Sequence, residues 1–181
     1  MNVVEPIRNR NDVKNLEKYL SFQSSRNRMI FVFGINTGLR VSDILALNVE
    51  DVLNKEFVTI IEKKTGKYKK FPLNKKLQVL LKEYLINKKV GSPLFIGKKH
   101  KRLHRSQVYR FLNDAGKAIG LNEIQIGTHT MRKTFGYHHY KQFNDVALLQ
   151  NIFNHSSPSI TLRYIGISQE EINASYNKFE L

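Results

Sequence analysis

A histidine and an arginine three positions apart, His129 and Arg132 in the run Gly127-Thr-His-Thr-Met-Arg-Lys-Thr-Phe-Gly136, are the residues whose types and spacing most suggest chemistry. If this run is helical, residues three apart lie on one face and both side chains address the same space. An imidazole and a guanidinium together offer planar, charge-assisted donors, and the group they suit best is a phosphate oxygen. The ligand this predicts is a phosphodiester. His155, in Asn154-His155-Ser-Ser-Pro, adds a third donor, and Tyr164, nine residues later, offers a phenol able to act as a nucleophile. Arg40 and Asp43, also three apart, lie in the mostly apolar stretch Leu39–Leu47, where a charge needs a partner. That partner is either the other member of the pair or a ligand.

The reaction class follows from the balance of charge. Metal-dependent nucleases gather carboxylates around magnesium, whereas this chain has thirty Lys and Arg against fifteen Asp and Glu and shows no acidic cluster beside its basic motifs. The expectation is phosphoryl transfer stabilised by fixed protein cations, with no metal and no other cofactor. A phenol with a pKa near 10 is mostly protonated at neutral pH, so Tyr164 needs a base. His100 and His104 stand four apart, but five Lys and Arg crowd them in the stretch 98–105, and that field opposes a bound cation. The stretch reads instead as a contact for a DNA backbone. Gly66-Lys67 is not a phosphate-binding loop, because the pattern Gly-x-x-x-x-Gly-Lys-Ser/Thr is absent.

A formal charge of +15 and an isoelectric point near 10.0 fit a polyanionic partner, double-stranded DNA above all. At 181 residues the chain suits one domain burying roughly 70% of its unfolded surface. The absence of cysteine excludes a disulfide framework, a thiolate zinc site and a cysteine nucleophile. The start, Met1-Asn-Val-Val-Glu-Pro6, has no secretory pattern, and no apolar run approaches the roughly eighteen residues of a membrane span. A cytoplasmic protein with no membrane partner is expected.

The elements that must position these residues are mostly helical. Val13, Leu16 and Leu20 mark an amphipathic helix over 12–22; Met29 to Ile35 suits a buried helix broken by Gly38. Glu56 to Lys63 is rich in β-branched residues, and Tyr68 to Leu73 returns after Thr65-Gly66-Lys67, which predicts a β-hairpin. Further helices are predicted over 77–85, over 108–119 with Gly120 as its stop, and over 146–153, the last delivering His155. Pro158 opens the turn that presents Tyr164. Ser168-x-x-Glu171 predicts a capping box for a last helix through about Tyr176. His138 and His139 read as packing or surface residues.

The set Thr37-Gly-Leu-Arg40-Val-Ser-Asp43, Lys64-Thr-Gly-Lys67, His129-Thr-Met-Arg132, Asn154-His155-Ser-Ser and Arg163-Tyr164 resembles, in order and in spacing, the active site of the tyrosine recombinases, the phage-integrase family. The resemblance implies an α+β fold, mostly helical with a small antiparallel β-hairpin, and a metal-free recombinase or integrase that cuts and rejoins DNA through a 3′-phosphotyrosyl bond. It implies that Arg40, Arg132 and His155 clamp the scissile phosphate, that His129 assists proton removal from Tyr164, and that Asp43 supports Arg40. It also implies a lysine that protonates the leaving 5′-oxygen; counting eight residues back from Pro72 selects Lys64, with Lys67 as the substitute. Lys63, Lys67, Lys69, Arg102, Arg105, Arg110 and Lys133 are expected to contact DNA. Family members usually carry an N-terminal DNA-clamping domain, whereas here residues 1–181 read as the catalytic domain alone, and Asn154 stands where glycine is common. The C-terminal helix implies docking between protomers of a tetramer on DNA. The same residues would also serve a DNA-relaxing enzyme of the type IB topoisomerase kind, and the charge alone would serve a binding module without catalysis.

Overall fold

Residues Met29 to Phe33 are all buried, and a helix apolar on every side is stable only where other elements surround it. In the computed structural model, which describes residues 4–97, 101–167 and 174–180, that helix is α2 (Ser25–Thr37). Packed around it are α1 (Arg10–Gln23) through Leu16 and Leu20, α4 (Lys75–Tyr84) through Leu77 and Leu81, and α6 (Thr130–Phe143) through Met131. Helix α5 (Arg105–Ala118) joins the same core with Val108, Leu112 and Ala115.

Between these lie the short helix α3 (Val41–Ile44) and a β-hairpin, β1 (Phe57–Ile61) paired antiparallel with β2 (Tyr68–Pro72) in the register Val58 to Phe71 and Ile60 to Lys69. Helices α7 (Val146–Phe153) and α8 (Pro158–Ile165) form a second, smaller core in which Leu149, Phe153 and Ile165 pack against Phe135 and Tyr164. Gly136 is what lets α6 approach it. A Cβ there would stand 2.6 Å from Ile165 and 2.7 Å from Phe153. Among the described residues no helix is long and apolar enough to cross a membrane.

The fold is the mostly helical α+β arrangement with one hairpin that the residue pattern predicts, with three local details beyond it. The stretch 39–47 is helical only over Val41–Ile44, because Arg40 is extended (φ −69°, ψ 145°) and the chain turns again after Ile44. The helix carrying Arg132 begins at Thr130, with His129 as its N-cap residue; the Gly127 N–H donates to the Thr130 hydroxyl and closes the entry turn. His104 caps α5, its Nδ1 accepting from the Ser106 N–H at 3.3 Å. The capping box expected over 168–171 and His100 lie outside the described residues.

Candidate active site

Gly38 ends α2 in the left-handed conformation (φ 63°), and a side chain there would collide with the Phe135 ring. Its carbonyl is thereby turned toward α6, where the Arg132 Nη1 donates to it at 2.6 Å. The other arm of the same guanidinium donates to the Phe153 carbonyl at 2.8 Å, and its plane stacks 4.2 Å from the Phe153 ring. Arg132 is 2% exposed, so a cation is fixed between the end of α2 and the end of α7. Burial lowers its proton affinity, and the nearby tyrosine and carboxylates act the other way.

Tyr164 sits on α8 with its ring edge-on to Phe153 and to His155. Its hydroxyl lies 3.1 Å from the His129 Nδ1, within the distance at which a base takes a proton. Burial pushes the phenol above its ordinary pKa, while Arg132 and Arg40 pull against that. The hydroxyl therefore carries its proton at neutral pH. His129 is lowered by burial and then by Arg132, Lys133, Arg40 and Lys64, so its ring is neutral and able to accept.

His155 follows Asn154, the left-handed C-cap of α7 (φ 53°). Burial, then the charges of Arg132, Arg40 and Lys64, lower it to about 4. A neutral imidazole donates through one nitrogen only. The Thr161 hydroxyl is 3.1 Å from Nδ1 and 3.3 Å from the Ser157 carbonyl; in the tautomer in which its one hydrogen goes to Nδ1, Nε2 carries the imidazole hydrogen and is the donor. Thr161 is fully buried and is a member of the site that its sequence position does not reveal.

Arg40 is the second arginine, and its partner differs from the one its neighbours suggest. Asp43 lies 3.9 Å from Nη1, with its Oδ1 accepting the Lys63 N–H at 3.1 Å, whereas Glu62 approaches the same Nη1 at 3.0 Å. The Arg40–Glu62 approach is a contact of charges, not an aligned hydrogen bond. Burial raises the Glu62 carboxyl's proton affinity, but hydrogen bonds from Thr65 and Asn154 and the Arg40 guanidinium together hold it below the usual range. Glu62 ends the β-branched strand among lysines, a place that reads as surface until the hairpin is folded against α7.

Lys64 is exposed on the hairpin turn, and its charge reaches both His129 and His155. Lys67 and Lys63 are exposed beside it, and Arg105 and Arg110 are exposed on α5. Three of the cations expected on DNA are directed elsewhere. Lys69 turns inward and donates to the Ile152 carbonyl at 2.6 Å; burial lowers it to about 8. Arg102 donates to the carbonyls of Leu45 and Leu47 at 2.7 and 2.9 Å and to the Asn48 side chain. Lys133 is buried with its ammonium 5.1 Å above the Tyr164 ring. His138 is a packing residue, its Nε2 3.0 Å from the Ile7 carbonyl.

Comparison with known proteins bears on this arrangement directly. The model of the phage integrase family matches residues 9–171. The chain belongs to the phage integrase family. A relative described as a probable integrase/recombinase YoeC, from Bacillus subtilis (strain 168), is 45% identical over 180 residues, covering 99% of this chain and 98% of the relative. The crystal structure of the XerA recombinase superposes on this member of the family with a TM-score of 0.78 at 21% identity, over 98% of this chain and 64% of the other, a likeness of fold. The XerH site-specific recombinase, crystallised on its difH substrate before cleavage, superposes with a TM-score of 0.72 at 25% identity, over 97% of this chain and 55% of the other. The chain spans between 51% and 60% of the curated tyrosine recombinases XerC and XerA that it matches.

Proposed function

We propose that this integrase-family chain cuts and rejoins double-stranded DNA through a covalent phosphotyrosine, in site-specific recombination or integration. The observation that carries the reading is the His129–Tyr164 contact of 3.1 Å, set against a doubly anchored, buried Arg132. His129 takes the phenolic proton as the Tyr164 oxygen forms its bond to phosphorus. Arg40, Arg132 and the His155 Nε2–H receive the nonbridging oxygens as negative charge builds on them. The bond from phosphorus to the 5′-oxygen breaks, and Lys64 gives that oxygen its proton. The 3′-phosphotyrosyl bond keeps the energy of the phosphodiester, so a 5′-hydroxyl from another strand can reverse the step without ATP. Asp43 supports Arg40 from below, and the exposed Lys63, Lys67, Arg105 and Arg110 contact the DNA backbone.

Assembly belongs to the same proposal. Strand exchange needs paired active sites, and the tetramer is held through the C-terminal helix; a DNA substrate places the working protein in the cytoplasm. The reading is supported by the XerH complex, whose described state is a recombinase on DNA before cleavage. It is tested by incubating the protein with nicked suicide duplexes and separating the products on a denaturing gel. A protein–DNA adduct is expected with wild type and none with Tyr164→Phe. An adduct of equal yield from the variant, or DNA binding without any adduct from wild type, would overturn it in favour of another nucleophile or a binding module.

A further inference from the structure

Glu62 is fully buried, with Oε2 hydrogen-bonded and Oε1 in charge contact with Arg40 alone. Oε1 stands 3.0 Å from the Arg40 Nη1; Oε2 accepts the Thr65 hydroxyl at 2.8 Å and the Asn154 side-chain amide at 3.1 Å. Its backbone closes the hairpin turn, the N–H donating to the Lys67 carbonyl at 3.0 Å and the carbonyl accepting the Gly66 N–H at 2.8 Å. Three elements that have no covalent proximity therefore meet at one residue: the turn bearing Lys64, the extended segment bearing Arg40, and the left-handed turn that leads into His155.

On the recombinase reading above, we propose that Glu62 is a positioning residue, a single carboxylate that aims Arg40 and ties it to the turn carrying His155 through Asn154. The electrostatic need is plain. Arg40 lies within reach of the charges of Arg132 and Lys69, and a long, flexible cation in such a field moves out to water unless a fixed anion holds it. Asp43 is 3.9 Å away and is already engaged with the Lys63 N–H, so the nearer carboxylate does most of the holding. Burying a carboxylate is costly unless it is paired and hydrogen-bonded, and Glu62 meets that condition only by joining these particular groups.

Asn154 supplies the coupling. A left-handed residue at the end of α7 is adopted most easily by glycine. The side chain that stands there instead donates to Glu62. Lys69 reinforces the joint from the same hairpin by donating to the Ile152 carbonyl, two residues before Asn154.

The test uses Glu62→Gln, which keeps the shape and removes the charge, and Asn154→Gly, which keeps the backbone and removes the link. Both are compared with wild type in single-turnover adduct formation on saturating suicide duplex, alone and in an Arg40→Ala background. Glu62→Gln is expected to slow adduct formation on the order of tenfold or more, by analogy with residues that orient a reacting group, with DNA affinity unchanged. On Arg40→Ala the same substitution should cost little further, because a residue that acts through another loses its effect when that one is gone. Asn154→Gly should show a smaller loss without a loss of thermal stability. A Glu62→Gln rate equal to wild type, or an equal loss on both backgrounds, overturns the proposal. A second readout needs no turnover: phenylglyoxal labelling of Arg40 in DNA-free protein, followed by mass spectrometry, should be faster in Glu62→Gln than in wild type. Unchanged labelling contradicts the pairing whether or not wild type forms an adduct, whereas faster labelling with no wild-type adduct would count against the recombinase reading alone.

Discussion

His155 shows how one side chain's environment sets both chemistry and stability. Its pKa falls from the ordinary 6.5 to about 4, first through burial and then through three neighbouring cations. The unfolded chain takes up this proton near pH 6.5 and the folded chain only near 4, so the contribution to stability is present above 6.5 and is lost as pH falls through 4. The difference in urea midpoint between wild type and His155→Gln should therefore narrow as pH is lowered from 7 toward 4. Melts at a series of pH values check this, and a difference independent of pH would contradict it. His129, Arg132, His155 and Tyr164 stood out in the sequence because their order and spacing match a family pattern, and the structure brings them together across α6, α7 and α8. Glu62 and Thr161 did not: Glu62 acts on Arg40 and Asn154, far away in sequence, and Thr161 acts on His155 only once α8 folds back against the turn that precedes it. An acid among lysines and a threonine on a short helix read as surface until the tertiary contact is drawn. Lys69 differs in the opposite sense: its type suggested DNA, and its ammonium, on β2, donates to the Ile152 carbonyl.

At the scale of elements, the hairpin is the part that brings Lys64 to the site. Strand pairing from Phe57–Pro72 to Ile61–Tyr68 puts Lys64 on the turn, where its charge acts on His129 and His155. Lys64→Ala should slow adduct formation by about 10²-fold or more, the usual weight of a general acid. A duplex whose bridging 5′-oxygen is replaced by sulfur should restore most of the rate, because a thiolate leaves without a proton. Lys67→Ala should need no such rescue. A Lys64 defect equally deep on both duplexes would remove it from the role of proton donor. The helices around this hairpin were largely foreseeable from apolar periodicity and from the glycines that end them. The exact entry to α6 was not, because His129 caps the helix through backbone geometry, with no side-chain cap bond to mark it.

Across the whole molecule, a formal charge of +15 must be neutralised, and the exposed Lys63, Lys67, Arg105 and Arg110 lie on the hairpin turn and on α5. DNA affinity should fall steeply with salt, by roughly 10³-fold or more between 50 and 200 mM if about six phosphates are contacted. Fluorescence anisotropy across that range checks it, and a flat response would leave the charge without its polyanion. The family relationship follows from the match over residues 9–171 and the fold from the superposition, and the proposed reaction centres on one atom, the Tyr164 hydroxyl oxygen. The most direct measurement is to digest the trapped protein–DNA adduct and locate the attached nucleotide by tandem mass spectrometry. The expected product is a 3′-phosphate esterified to Tyr164. Attachment at another side chain, or through a 5′-phosphate, would contradict it.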